Sequence, residues 1–306
     1  MEKDIRWVSI QKTEVLTAAY SPDGRTVAVA GFDRTVYLLD TTTWKVKKEL
    51  REHGYAVSQV SFSLDGQILA SLSPGESPIL WDVNNGKELR RLQGDSSKKV
   101  NALAFTGDGK ALITTSSEKA IRVWDVKTGR EVKTLPSHEG EVIDVAISPD
   151  GKLLAAGGGV KGKSGTIQLW DTTSWKVVDV LKGHSDRVRS LSFSGDGKYL
   201  ATSGADGKLF IWDMTRRNDK PLVFPHQIRS RVCFSPKRDQ VAFVKNHDQH
   251  ITIWDFHNKK ETPSPGPFPF LLNCLTFSPD GRSLVFVWGG RPGDLGLWEI
   301  PENLGK

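Results

Sequence analysis

Seven times along 306 residues a short apolar run closes on Trp-Asp or a near version of it. The pairs are Leu39-Asp40, Trp81-Asp82, Trp124-Asp125, Trp170-Asp171, Trp212-Asp213, Trp254-Asp255 and Trp298-Glu299, with second positions spaced 42, 43, 46, 42, 42 and 44 residues apart. Five full matches at one period mark a repeat architecture, in which a supersecondary unit buries its apolar face only by stacking on its neighbours.

A second marker precedes each pair. It reads SPDGR at 21–25, SLDGQ at 63–67, TGDGK at 106–110, SPDGK at 148–152, SGDGK at 194–198 and SPDGR at 278–282, whereas the sixth unit has SPKRD at 235–239. Asp-Gly is a hairpin signal because glycine takes positive φ at little steric cost. Alternating runs such as VRSLSFS stand before the marker, and short strands such as KYLATSG follow it. Each unit therefore reads as three strands joined by turns, the third ending in Trp-Asp, and a polar fourth strand such as GREVKTL. The 29 glycines and 10 tryptophans agree with frequent tight turns between packed strands.

Period, Trp-Asp pairs and the Gly183-His184 dipeptide resemble the WD-repeat proteins over essentially the whole chain. The resemblance implies an all-β, seven-bladed propeller of four-stranded antiparallel blades around a central channel. The expected blades are 13–52, 53–94, 95–136, 137–182, 183–225, 226–266 and 267–300, forming a single domain over 1–306. Only PENLGK follows Trp298-Glu299, while the N-terminal IRWVSIQK alternates like a strand with no partner in the first unit. Residues 4–11 are thus expected to supply the outer strand of the last blade and close the ring, removing an exposed strand edge.

The same resemblance implies a buried hydrogen-bonded set of His, Ser/Thr, Asp and Trp in each well-formed blade. The fifth unit is read as the only one to carry it whole, as His184, Thr202, Asp206 and Trp212. The first unit has Leu39 at the tryptophan position and the third lacks the histidine. The fourth keeps His138 and Trp170 but has alanines at the hydroxyl position, and the sixth keeps His226, Asp248 and Trp254. Blades 1 and 7 are expected to lean on packing. His184 beside Asp206 has the look of a catalytic pair, yet buried polar groups that satisfy one another read as structural.

Two motifs suggest chemistry. Gly157 to Ser164 matches GxxxxGK[ST] letter for letter, but the phosphate-binding mechanism needs a helix after the loop. GTIQLWD follows instead, a strand of the repeat, so the segment reads as an enlarged Gly/Lys loop. His247-Asp248-Gln249-His250 has zinc-capable side chains, although Asp248 falls at the structural aspartate position. No nucleophile–base constellation is evident, so no catalytic residue, metal or cofactor is expected. Cys233 and Cys274 read as small buried residues.

Formal net charge is +6 and the pI about 9.2. The N-terminus has no apolar signal-like core, and no apolar run approaches the roughly 18 residues of a membrane span. The expectation is a cytoplasmic protein without membrane contact. Loops from fourth to first strand and from second to third strand share one face, which the resemblance makes the usual interaction surface. Candidate contacts there are Tyr55, Lys99, Arg187, Arg229, Trp288 and Arg291, since aromatics and Arg dominate interface hot spots. Acidic residues such as Glu52, Glu76, Glu118 and Glu141 share that face. Mixed charge argues against duplex nucleic acid, which needs a continuous basic stripe. The reading is a non-catalytic scaffold or adaptor for another protein or peptide, an acidic one included. The alternatives are a nucleic-acid-binding propeller and an enzyme or small-ligand-binding propeller.

Overall fold

Each Asp-Gly marker folds into the same hydrogen-bonded turn. In the first, Ser21 Oγ donates to Asp23 Oδ1 at 2.6 Å, while the N–H groups of Arg25 and Thr26 donate to Asp23 Oδ1 and Ser21 Oγ. Gly24 supplies the positive φ of 71°. The Ser/Thr–Asp bond recurs at 63/65, 106/108, 148/150, 194/196 and 278/280. These bonds hold the aspartates below their ordinary pKa. The third strand ends in an equally local device. Asp82 accepts the N–H groups of Asn84 and Asn85 and so caps the turn into the fourth strand. Asp40, Asp125, Asp171, Asp213 and Asp255 do the same.

These turns fold the chain into seven four-stranded antiparallel sheets, the blades of a seven-bladed propeller. The computed structural model describes residues 5–10, 14–93, 100–136, 140–217, 219–228, 231–245, 250–262, 272–288 and 293–301. Six blades use four consecutive strands, from Val15–Leu50 in blade 1 to Cys233–Thr262 in blade 6. Blade 7 has three, Leu272–Phe277, Ser283–Trp288 and Asp294–Glu299, and its fourth is the N-terminal strand Ile5–Ser9. Ile5 faces Trp298 and Ser9 faces Asp294, so the ends of the chain are laced antiparallel as the alternating N-terminal pattern implies.

Apolar side chains gather between adjacent blades. Ala28, Val36 and Leu38 of blade 1 pack on Val60, Phe62, Ile79 and Trp81 of blade 2. Leu39, at the tryptophan position of blade 1, packs on Val285, Leu295 and Leu297 of blade 7. In blade 7 Phe286 occupies the place that Thr202 takes in blade 5, opposite Gly296. Trp7 pairs with Gly296 from the other side, and the Trp7 and Phe286 rings meet edge to face over it at 5.7 Å. A Cβ on Gly296 would lie 2.3 Å from the Phe286 ring. The glycine is the space these two aromatics need, a known way to cover a bare strand position.

Polar side chains on the innermost strands tie several neighbouring blades together. The Gln59 amide accepts from Leu103 N–H at 3.0 Å, Asp144 Oδ2 from Leu191 N–H at 3.0 Å, and Ser190 Oγ from Val232 N–H at 3.3 Å. Cys274 holds the matching place in blade 7, donating its thiol to Ala18 O at 3.3 Å and accepting Ala18 N–H at 3.4 Å. This cysteine is therefore a hydrogen-bonding link across the ring closure as well as a small packed residue. Burial pushes both thiols up, that of Cys233 to about 12.

Candidate partner-binding face and the networks that hold it

In blade 5 the four expected residues form one chain of hydrogen bonds. Trp212 Nε1 meets Thr202 Oγ1 at 3.0 Å, Thr202 Oγ1 meets His184 Nε2 at 2.9 Å, and His184 Nδ1 meets Asp206 at 3.0 Å. Donor chemistry fixes the direction at its two ends. An indole N–H can only donate and a carboxylate can only accept, so Trp212 donates to the Thr202 hydroxyl and His184 donates its Nδ1–H to Asp206. His184 and Thr202 are buried. Burial tends to raise the Asp206 carboxyl, but the bonds from His184 and from the Lys208 and Ser185 N–H groups outweigh it, leaving it below its usual range. Gly204 makes the room: a Cβ there would stand 2.4 Å from His184 Nδ1.

Blade 2 holds a second complete network, so the reading of blade 5 as the only whole set is corrected. Trp81 Nε1 donates to Ser71 Oγ at 2.7 Å, Ser71 Oγ meets His53 Nε2 at 2.6 Å, and His53 Nδ1 meets Glu76 Oε2 at 2.9 Å. The His-to-hydroxyl and hydroxyl-to-Trp offsets, 18 and 10 residues, equal those of blade 5. Only the acid differs, being a glutamate one position further along, and its longer side chain makes up the displacement. Burial holds the His53 imidazole below its ordinary pKa, against the opposing pull of Glu76, and so favours its neutral form.

The remaining blades show what partial sets do. Trp124 donates to Thr114 at 2.7 Å in blade 3. In blade 4 Ala156 holds the hydroxyl position, and Trp170 Nε1 is buried without a partner among the described residues. His226 of blade 6 stands outside such a network: its ring is largely exposed and lies 3.8 Å from Glu261. His138 and Asp248 fall outside the described residues.

Both networks reach into loops of the face where fourth strands lead to the next first strand. Glu76 Oε1 accepts the Gly54 N–H at 2.9 Å, and Asp206 Oδ2 accepts the Ser185 N–H at 2.9 Å. The first contact fixes the residue before Tyr55, whose side chain is 63% exposed. Phe32, 53% exposed, stands beside the same connection, because Val57 N–H donates to Gly31 O at 3.0 Å. The second contact fixes the chain two residues before Arg187, which is half-buried with Nη1 3.9 Å from Glu141 Oε2. Glu141 also accepts from Asn101. Trp288 ends the second strand of blade 7, packing on the core cluster and on Trp7 at 5.9 Å. Lys99, Arg229 and Arg291 lie outside the described residues.

The phosphate-loop pattern has a packing explanation. Gly157–Gly159 complete a strand, a tight turn follows, and Thr166–Asp171 is again a strand. Cβ atoms on Gly158 and Gly165 would lie 1.9 Å from Glu141 O and 2.4 Å from Asp186 O. The Gly162 N–H already donates to Asp186 Oδ1 at 3.0 Å, so a carboxylate takes one of the loop's backbone donors. Of the His247–His250 cluster, only His250 is among the described residues. Those residues contain no group of three or more potential metal ligands. They contain no helix long and apolar enough to cross a membrane.

Comparison with known proteins agrees with this architecture. The family model for the WD domain, G-beta repeat, matches residues 8–40, 86–125, 129–171 and 175–213, about half of the chain. A WD repeat-containing protein WDS homolog of Arabidopsis thaliana is 27% identical over 92% of this chain and 56% of its own length. The anaphase-promoting complex subunit cdh1 of Dictyostelium discoideum is 30% identical over 43% of the chain and 18% of its own length. The small ribosomal subunit protein RACK1 of Caenorhabditis elegans is 32% identical over 29% of the chain and 27% of its own length. The chain thus spans from under a fifth to just over half the length of these relatives. With its Trp-Asp period, its capped turns and its hydrogen-bonded blades, the chain belongs to the WD-repeat β-propeller family.

Proposed function

We propose that this propeller is a non-catalytic platform that binds a protein or peptide through the face carrying Tyr55, Phe32 and Arg187. The observation that carries the reading is the pair of exposed aromatics, Phe32 and Tyr55, on two loops joined by a backbone hydrogen bond and anchored through Gly54. Exposed aromatic rings on an already ordered backbone lose little entropy on binding, the usual character of an interface anchor. The fold is consistent with this role, because its two buried His–acid pairs, His53–Glu76 and His184–Asp206, are engaged in internal networks. Similarity to proteins named as a subunit of the anaphase-promoting complex and of the small ribosomal subunit supports a place in an assembly.

Affinity purification from native extract tests the reading, with wild type compared against Phe32→Ala/Tyr55→Ala and against Leu64→Ala. Leu64 is equally exposed but sits in a first-to-second-strand turn on the opposite face. A stoichiometric protein retained by wild type and Leu64→Ala, and lost by the double variant, is the expected result. Recovery mainly of nucleic acid, or equal retention by all three proteins, would overturn it.

A further inference from the structure

Ring closure by the N-terminal strand has a consequence on the opposite face. In blades 1 to 6 the aspartate after the third strand is occupied in capping the turn to the fourth. Blade 7 borrows its fourth strand from the other end of the chain, so its third strand does not lead into a fourth. The equivalent residue is Glu299, exposed, with no side-chain hydrogen bond or ion pair among the described residues. A cavity of about 490 Å³ opens beside it, walled by the bottoms of blades 7 and 1 and by Lys237 of blade 6. That volume lies within the range of small-ligand sites.

The chemistry of the walls selects the ligand. Trp44 and Tyr20 contribute aromatic surface, and Asp23, Asp280 and Glu299 contribute carboxylates against the single ammonium of Lys237. Asp23 and Asp280 accept their turn bonds through Oδ1, which leaves Oδ2 of each for a ligand. Tyr20 hydrogen-bonds Ser283, and burial raises its phenol to about 12, so it stays neutral. Arg25 and Lys47 act electrostatically on Asp23, and Arg282 on Asp280, but none of the three lines the cavity. Three carboxylates beside an indole suit a cation that is planar, delocalised and weakly hydrated, able both to stack and to bridge carboxylates. We propose that this seam cavity binds a guanidinium group, the arginine side chain of an extended basic segment of a partner protein. The site is independent of the loop face and lies on the other side of the ring.

The test is a titration of the ¹⁵N-labelled full chain with N-acetyl-arginine methylamide, following the indole N–H resonance of Trp44, assigned through Trp44→Phe. Citrulline and lysine counterparts serve as the neutral and ammonium comparisons. The expected result is a saturable shift of the Trp44 resonance with millimolar affinity. Binding should weaken about tenfold for citrulline, which keeps the shape without the charge. Glu299→Gln, at an exposed position where folding is undisturbed, should weaken it about threefold. No movement of Trp44 at tens of millimolar, an equal response to citrulline or lysine, or unchanged affinity in Glu299→Gln would each overturn the proposal. A failure here would leave the loop-face reading untouched, since no residue of that face lines the cavity.

Discussion

Gly54 donates its backbone N–H to Glu76 Oε1 at 2.9 Å, so the residue before exposed Tyr55 is held by the carboxylate that ends the His53 relay. One acid does two jobs: Oε2 satisfies a buried imidazole and Oε1 fixes a loop. A Cβ on Gly54 would fall 2.7 Å from that oxygen, so the close approach depends on glycine.

Glu76→Ala should therefore cost stability and loop order together. Removing the acceptor leaves the His53 Nδ1–H without its partner, a loss of about 1–3 kcal/mol. Chemical denaturation measures the first effect, and faster hydrogen exchange at the Gly54 amide measures the second. An unchanged midpoint with unchanged exchange would mean that the network does not hold the loop.

Stability should also fall on mild acidification. The folded-state pKa of His53 lies below its ordinary value because of burial. The unfolded chain then binds more protons as pH drops through about 6.5, and stability is lost from there down to the folded value. The Glu76 carboxyl, also lowered, adds a further loss at more acidic pH, as pH falls below its ordinary value near 4.5. Tm measured from pH 8 to pH 5 should decline, and His53→Gln should flatten the upper part of that decline. A Tm independent of pH across that window would refute the neutral relay.

Ala156→Ser should stabilise the protein. It places a hydroxyl where Thr202 stands in blade 5 and gives buried Trp170 Nε1 an acceptor. A gain of about 1 kcal/mol is expected from satisfying a buried donor, read as a rise in the denaturation midpoint.

Gly296→Ala should do the reverse at the ring closure. Its Cβ would meet the Phe286 ring at 2.3 Å, displacing the aromatic pair that joins the N-terminal strand to blade 7. Overpacking of this kind costs about 1–3 kcal/mol. Increased protease sensitivity near Trp7 would locate the damage.

The architecture was legible because it is written in local signals. Every Trp-Asp aspartate caps its own turn within three residues, and every Asp-Gly marker closes on a hydroxyl two residues before it. Ring closure was legible from the unpaired alternation of IRWVSIQK, and the strand observed is Ile5–Ser9, with Ile10 N–H still bonded to Gly293 O. The network of blade 2 was missed because Glu76 stands one residue past the usual acid, although the His53, Ser71 and Trp81 offsets were there to be read. The link from Cys274 to Ala18 joins residues 256 apart in sequence, and the aromatic pair over Gly296 joins opposite ends of the chain. No local pattern encodes such contacts; they exist only once the ring has closed. Nor does sequence tell an exposed aromatic from a packed one: Tyr55 and Trp288 are both loop-end aromatics, and burial alone separates them.

The binding claim is tested most directly by a hydrogen-exchange footprint of the propeller with its captured partner. Protection confined to the connections around 31–34 and 51–58, extending toward Arg187, is the result this account requires. Protection restricted to the Asp-Gly turns of the opposite face, or to the outer strands of the blades, would contradict it.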